Sequence, residues 1–402
     1  MNILFLTNRL PHPNVVGGHK LIYRRMKRLK DKGHKVGIIA LTLKENKIFL
    51  TELRDKFDEV EIIIFKEKKI YQRIYHYLNP SLPAIFWKNR SVRMMKKIGE
   101  IILRSNYEIV IAEYGEMGQY LYRNPYLSAV HKIVSCHRCL TDSFEKYITT
   151  PRVSLILKLK CLIQYKKLKR YEFEMYNSMD HIITLTDKDR INILNHAPQL
   201  PVSVVPPGID LIDLNNTSVS KKPDFPLLMM CGYFADKSNN DAAIWFIRMI
   251  WPKIYRKNKN IKCWFIGKGI TREMQNAAVN KPGITLISDI ENLRPYRKSA
   301  TVFINPMRLG SGLRIKILEA MGSSLPVVTT SLGAAGIPAQ NGVNCLISDT
   351  PKEFAESILW LLKDKNLSKK IGDNAKLMVE KKYEIQHCIN QLETIFIDTI
   401  SL

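Results

Sequence analysis

Between Asn305 and Met321 the chain reads Asn-Pro-Met-Arg-Leu-Gly-Ser-Gly-Leu-Arg-Ile-Lys-Ile-Leu-Glu-Ala-Met. The segment follows an apolar, β-rich run, Val302–Asn305, and leads into a helical pattern over Leu313–Met321. Gly310, Ser311 and Gly312 let the backbone approach a ligand closely. With Leu313 they open a helix whose first N–H groups and positive dipole end form an anion cradle. Arg314, expected in the first helical turn, offers a planar fork, and Lys316 offers a point charge. Glu319 lies three residues beyond Lys316 and shares its helix face. A carboxylate there can accept hydrogen bonds from sugar hydroxyls. The constellation suits a diphosphate at the helix start and a ribose near Glu319. The plain alternative is a surface helix with a Lys–Glu pair.

Other motifs are weaker. Gly17-Gly18 stands before a helix after the first apolar run, but the spacing is not GxGxxG, and no GxxxxGK[ST] occurs. A nicotinamide dinucleotide site and P-loop hydrolysis are therefore poorly supported. The single CxxC, Cys136 to Cys139, lacks a second pair, which argues against zinc. The seven cysteines are odd in number and several sit in apolar runs, so buried, reduced thiols are expected. Asp187-Lys188-Asp189 spells a DxD, yet Thr186 precedes it and Asp189 stands three residues later, a variant capping box. No metal or other cofactor is expected.

The elements that must position these residues form a regular series. Short apolar runs begin at Ile3, Val36, Val60, Ile109, Lys132 and Ile182, then at Leu227, Cys263, Ile284, Val302, Val327 and Cys345. Most are continuous, as in strands buried on both faces. Helical patterns lie between them, including Leu21–Lys32 and Asp241–Tyr255. Strand–helix alternation means an α/β class with parallel, doubly wound, Rossmann-like sheets. Prolines 198, 201, 206 and 207, followed by a polar tract, mark a connector. Two domains are expected, 1–205 and 206–383, with a C-terminal helix at about 384–402 packing back on the first. Ligands of such sheets bind beyond the strands' carboxyl ends.

The chain has 402 residues, with 62 Lys and Arg against 37 Asp and Glu, a net charge of +25. Residues 1–200 carry a surplus of 17 and the remainder 8. Such a surplus suits an anionic partner. No apolar stretch is long enough to span a bilayer, and no leader pattern opens the chain; a soluble, cytoplasmic protein is expected. Lys20–Lys35 is strongly basic, and Arg152–Arg170 holds seven basic residues, no acids, and interleaved leucines and isoleucines. Tyr71, Tyr75, Tyr77, Phe86 and Trp87 add aromatic rings among cations. These features suit a peripheral seat on an anionic membrane surface. No helix-turn-helix, zinc-finger or RRM pattern appears, so nucleic acid is not the expected partner.

Gly310–Met321, with Leu325–Thr330 and Gly333–Ile337, resembles the donor-site signature of retaining GT-B glycosyltransferases of the glycosyltransferase 4 type. Asn2–Thr7 with Gly17-Gly18, Gly33–Val36, Val205–Asp210, Cys231–Phe234 and Phe265–Gly269 are similar to that family's successive landmarks. The resemblance implies two domains facing a cleft and transfer of a sugar from a nucleotide diphosphate sugar, with a lipid-linked or cell-surface polysaccharide acceptor. It implies ribose binding by Glu319, diphosphate binding by Arg314 and Lys316, a sugar contact by His137, and a further basic residue at Lys237. Where many members have an acidic residue eight before the glutamate, this chain has Ser311. A nucleotide-sugar epimerase of the same architecture, or a basic nucleic-acid-binding protein, is the alternative.

Overall fold

The computed structural model describes the chain except for residues 14–17, 43–46, 65–81, 128, 150–153, 217–221, 289, 291, 311 and 402. Gly17, Ser311, Tyr71, Tyr75 and Tyr77 therefore lie outside the described residues.

Contacts divide the chain into two units, Met1–Pro206 together with Cys388–Leu402, and Pro207–His387. The first is built on seven strands: β1 (Asn2–Thr7), β2 (Lys35–Thr42), β3 (Glu59–Ile64), β4 (Ile109–Glu113), β5 (His131–Cys136), β6 (His181–Thr184) and β7 (Val202–Val204). Their order is β3-β2-β1-β4-β5-β6-β7 and every pairing is parallel. The second holds β8 (Leu227–Cys231), β9 (Lys262–Ile266), β10 (Ile284–Ile287), β11 (Val302–Asn305), β12 (Val327–Thr329) and β13 (Leu346–Ile347). Their order is β10-β9-β8-β11-β12-β13, again parallel throughout.

The continuous apolar runs became the inner strands because helices cover both faces. All five residues of β4 and of β8 are buried. Both sheets reverse their winding once, between β1 and β4 and between β8 and β11. At such a reversal adjacent loops diverge and leave a crevice beyond the strand ends.

Several expectations need correction. The connector around residue 200 contains β7, an edge strand framed by Pro201 and Pro206; proline is tolerated there because an edge leaves donors unpaired. The helix over 241–255 is three segments: Lys237–Trp245, one π turn at Phe246–Ile250, and Trp251–Lys257. Pro252 lacks an N–H and its ring crowds the preceding turn, which widens the helix there. Phe86 and Trp87 are buried, with Phe86 against Tyr171 at 4.6 Å between ring centres, so neither serves an interfacial seat. The basic helix Gly18–Asp31 spends several of its charges internally. Arg25 is buried in an ion pair and Lys30 meets Asp58 at 2.7 Å. All seven cysteines are buried and unbridged. Thr186 caps its helix by accepting from Asp189 N at 3.1 Å. Among the described residues no helix is long and apolar enough to cross a membrane.

Candidate functional site

In the C-terminal unit the loop that leaves β11 enters the crevice beside β8. Gly310 and Gly312 both have positive φ, 96° and 85°. The backbone angle favours glycine at 310, and a Cβ there would stand 2.9 Å from both Arg314 Nη2 and Ser238 Oγ, so those side-chain ends would have to move. Two anchors hold the loop. Arg308 forks onto Asp241 at 2.7 and 3.2 Å, and its guanidinium lies 4.8 Å from the Trp245 ring centre. Thr330 accepts from Gly333 N at 3.0 Å and donates to the Met307 carbonyl.

The helix that follows spans Ile315–Gly322, not Leu313–Met321. Leu313 precedes it, and Arg314 is the N-cap rather than a first-turn residue, with φ −94° and ψ 83°. The positive-φ glycines turn the chain until Arg314, which delays the helix by two residues. Among the described residues no side-chain cap hydrogen bond closes this helix at its N-cap Arg314, in contrast to the neighbouring helix Lys237–Trp245, where Asp236 accepts from Ser238 N and Asn239 N. An uncapped start keeps N–H groups and dipole for an anion.

Lys316 and Glu319 do not pair with each other. Lys316 Nζ donates to Asn239 Oδ1 at 2.8 Å, and Asn239 Nδ2 donates to the Tyr233 carbonyl at 3.0 Å. Burial, reinforced by neighbouring Arg314, pushes the Lys316 ammonium down to about 8. Burial also lowers Arg314. Two cations share this corner and Asp236 acts on both, yet burial prevails and holds each below its ordinary value, which favours an incoming anion. Glu319 accepts from Arg297 Nη2 at 3.0 Å, and Arg297 is 3% exposed. The Nε and Nη1 of Arg297 have no partner among the described residues. Lys237 is the first residue of its helix and exposed. Asn239, Arg297 and the Arg308–Asp241 pair escaped sequence reading, since nothing local marks a partner 22 to 77 residues away.

In the N-terminal unit His137 follows β5, close to the winding reversal. Its Nε2 lies 2.7 Å from Glu113 Oε2, at the end of β4. Glu113 is fully buried; burial opposes its charge, but Arg25 and His137 prevail and hold the carboxyl at about 2. As a carboxylate Glu113 only accepts, so His137 carries its hydrogen on Nε2. Arg25 Nη1 reaches Glu113 Oε1 at 3.3 Å and Ser135 Oγ at 3.1 Å, and Nη2 reaches the Val205 carbonyl at 3.2 Å. The other imidazole nitrogen, Nδ1, looks toward Gly18, where a Cβ would sit 3.3 Å away. Tyr114 packs on His137 at 4.1 Å and holds φ 77°, a costly angle for an aromatic residue. His19, pushed down to about 4 by burial and by Arg9, bonds Asn8 at 2.7 Å. The visible signal for Glu113 was an acid closing an apolar run, Ile109 to Ala112, at the carboxyl end where ligands of such sheets gather.

Comparison with known proteins agrees with this layout. Residues 225–364 match the model for glycosyl transferases group 1. An uncharacterized 44.6 kDa protein in the cps region of Klebsiella pneumoniae is 25% identical over 95% of this chain and 96% of its own. The capsular polysaccharide biosynthesis glycosyltransferase CapM of Staphylococcus aureus is 27% identical over 36% of this chain and 39% of its own. Among solved structures, a variant of S. aureus TarM in complex with fondaparinux, alpha-GlcNAc-glycerol and UDP superposes with TM-score 0.73 at 12% identity, covering both chains fully. With two parallel Rossmann-like sheets and a glycosyl transferases group 1 domain at residues 225–364, the chain is a glycosyltransferase of GT-B fold.

Proposed function

We propose that the chain moves a sugar from a nucleotide diphosphate sugar to a lipid-linked acceptor in cell-surface polysaccharide or glycolipid synthesis, with retention of anomeric configuration as in the glycosyltransferase 4 type. The observation that carries the reading is the pair of partly desolvated cations, Arg314 and Lys316, at an uncapped helix start behind two positive-φ glycines. The difficult step is departure of a nucleoside diphosphate as negative charge grows on its β-phosphate. Fixed positive potential placed where that charge develops lowers the barrier. Arg314, Lys316 and the helix N–H groups supply it from the protein, so the reaction needs no divalent metal. Glu319, fixed by Arg297, takes the ribose hydroxyls. Lys237 adds a cation beside the phosphates. In the N-terminal unit His137 offers Nδ1 to a sugar hydroxyl.

The UDP bound to TarM and the capsular role of CapM support the donor class and the setting. The larger basic surplus of the N-terminal half supports an acceptor at an anionic membrane surface. A thermal-shift panel of UDP, GDP, ADP and CMP tests the reading. One nucleoside diphosphate raises the melting temperature in a concentration-dependent way, and silence across the panel overturns it. Product analysis separates transfer from epimerisation, since an epimerase releases no glycoside.

A further inference from the structure

The helix Leu155–Tyr176 in the N-terminal unit turns much of its apolar surface outward. Leu155, Ile156, Leu159, Leu162 and Ile163 are each more than half exposed. Over residues 154–171 every charged side chain is basic. An exposed apolar patch rimmed by cations is the composition of a surface that meets anionic lipid. The same helix borders a partly open hollow of about 110 Å³, shared with the helices Ala84–Lys88 and Leu140–Thr149. Its walls are almost wholly apolar: Ala84, Ile85, Phe144, Leu157, Cys161 and Leu168. The polar neighbour Gln164 is engaged, accepting from Ala84 N at 3.0 Å. Lys160 also borders the cavity and is itself exposed.

Beyond Lys160 and the engaged Gln164, those walls offer a sugar or a nucleotide little to hydrogen-bond, and the space falls well short of the roughly 300–1,000 Å³ of pockets that enclose whole small molecules. A flexible hydrocarbon segment fits it, and covering the exposed leucines and isoleucines with more hydrocarbon adds to the gain. The lysines on the same helix select a negatively charged headgroup over a neutral one.

We infer that this hollow seats a segment of one hydrocarbon chain of an anionic lipid, the rest of the chain lying on the exposed leucines and isoleucines and its phosphate meeting the lysines of the same helix, an inference that rests on the lipid-acceptor reading above. Dodecyl phosphate, titrated into the full-length protein below its micelle concentration, binds saturably with one molecule per chain. Cys161→Trp fills the cavity from one wall and weakens that binding about tenfold or more. Ala84→Leu fills it from the opposite wall with the same result, so the test survives if one variant does not fold. Inorganic phosphate does not compete, because the chain carries the affinity. Nucleotide thermal shifts stay unchanged in both variants, which separates this site from the donor site. Non-saturable binding, full-strength binding in both folded variants, or equal competition by inorganic phosphate overturns the inference. Sedimentation with phosphatidylglycerol vesicles at low salt reads the membrane proposal separately. Vesicle binding without a dodecyl phosphate site overturns the cavity alone.

Discussion

Lys316 is an ammonium whose bonded partner, Asn239, is neutral. A bound diphosphate would add a full counter-charge to the partial support that Asp236 gives Lys316. Replacing Lys316 by Ala removes one preorganised donor to the leaving group and should lower turnover by at least about a hundredfold in a protein that still folds. Because burial holds Lys316 at about 8, it is partly deprotonated in the empty enzyme at that pH. Binding of a nucleoside diphosphate near pH 8 should therefore take up protons, and affinity should fall as pH rises through 8. Calorimetry in two buffers of different ionisation enthalpy measures the uptake, which should vanish in Lys316→Ala. Glu113 makes the opposite kind of pair, fully buried between Arg25 and His137. Glu113→Gln leaves Arg25 buried without a charge partner and should cost about 3–5 kcal/mol in urea unfolding at pH 7. The folded pKa of Glu113 is depressed, to about 2, so its contribution is present above the ordinary glutamate value and is lost as pH falls toward 2. The gap between wild type and variant should shrink over that window.

At the scale of the element, the loop between β11 and the helix Ile315–Gly322 depends on backbone angles that side chains resist. Gly310→Ala should cost about 1–2 kcal/mol for the left-handed angle, displace Arg314 or Ser238, and weaken nucleotide binding. A melting curve with and without nucleotide separates the two effects. The inner strands were legible from sequence because burial on both faces leaves a continuous apolar run such as Leu227–Cys231. β7 was not, because three residues at an edge between prolines carry no such run. The glycine loop was legible by residue type, while the point where the helix starts was not: a pattern of apolar residues continues through Leu313 whether or not the backbone has turned. The supporting partners were hidden for another reason. Glu113 finds Arg25 across 88 residues and Lys316 finds Asn239 across 77, and only the sheet order brings them together.

At the scale of the whole molecule, the proposed chemistry uses cations of the chain itself, so activity should survive EDTA; a complete loss restored by Mg²⁺ would count against it. The chain leaves the first unit at Pro206 and returns to it at Cys388. The returning helix, Ile385–Ser401, buries Leu392 and Phe396, and Glu393 joins Lys32 and, at 2.6 Å, His34. Where the chain enters and leaves the second unit, its two ends are stitched together: Ile209 N donates to the Tyr383 carbonyl, and Ile385 N to the Ile209 carbonyl at 3.1 Å. The second unit is thus a cassette with both handles at one spot. Exchanging it between enzymes requires two splices, one on each side of that seam, and a chimera joined at only one of them would strand the last helix beside a foreign sheet.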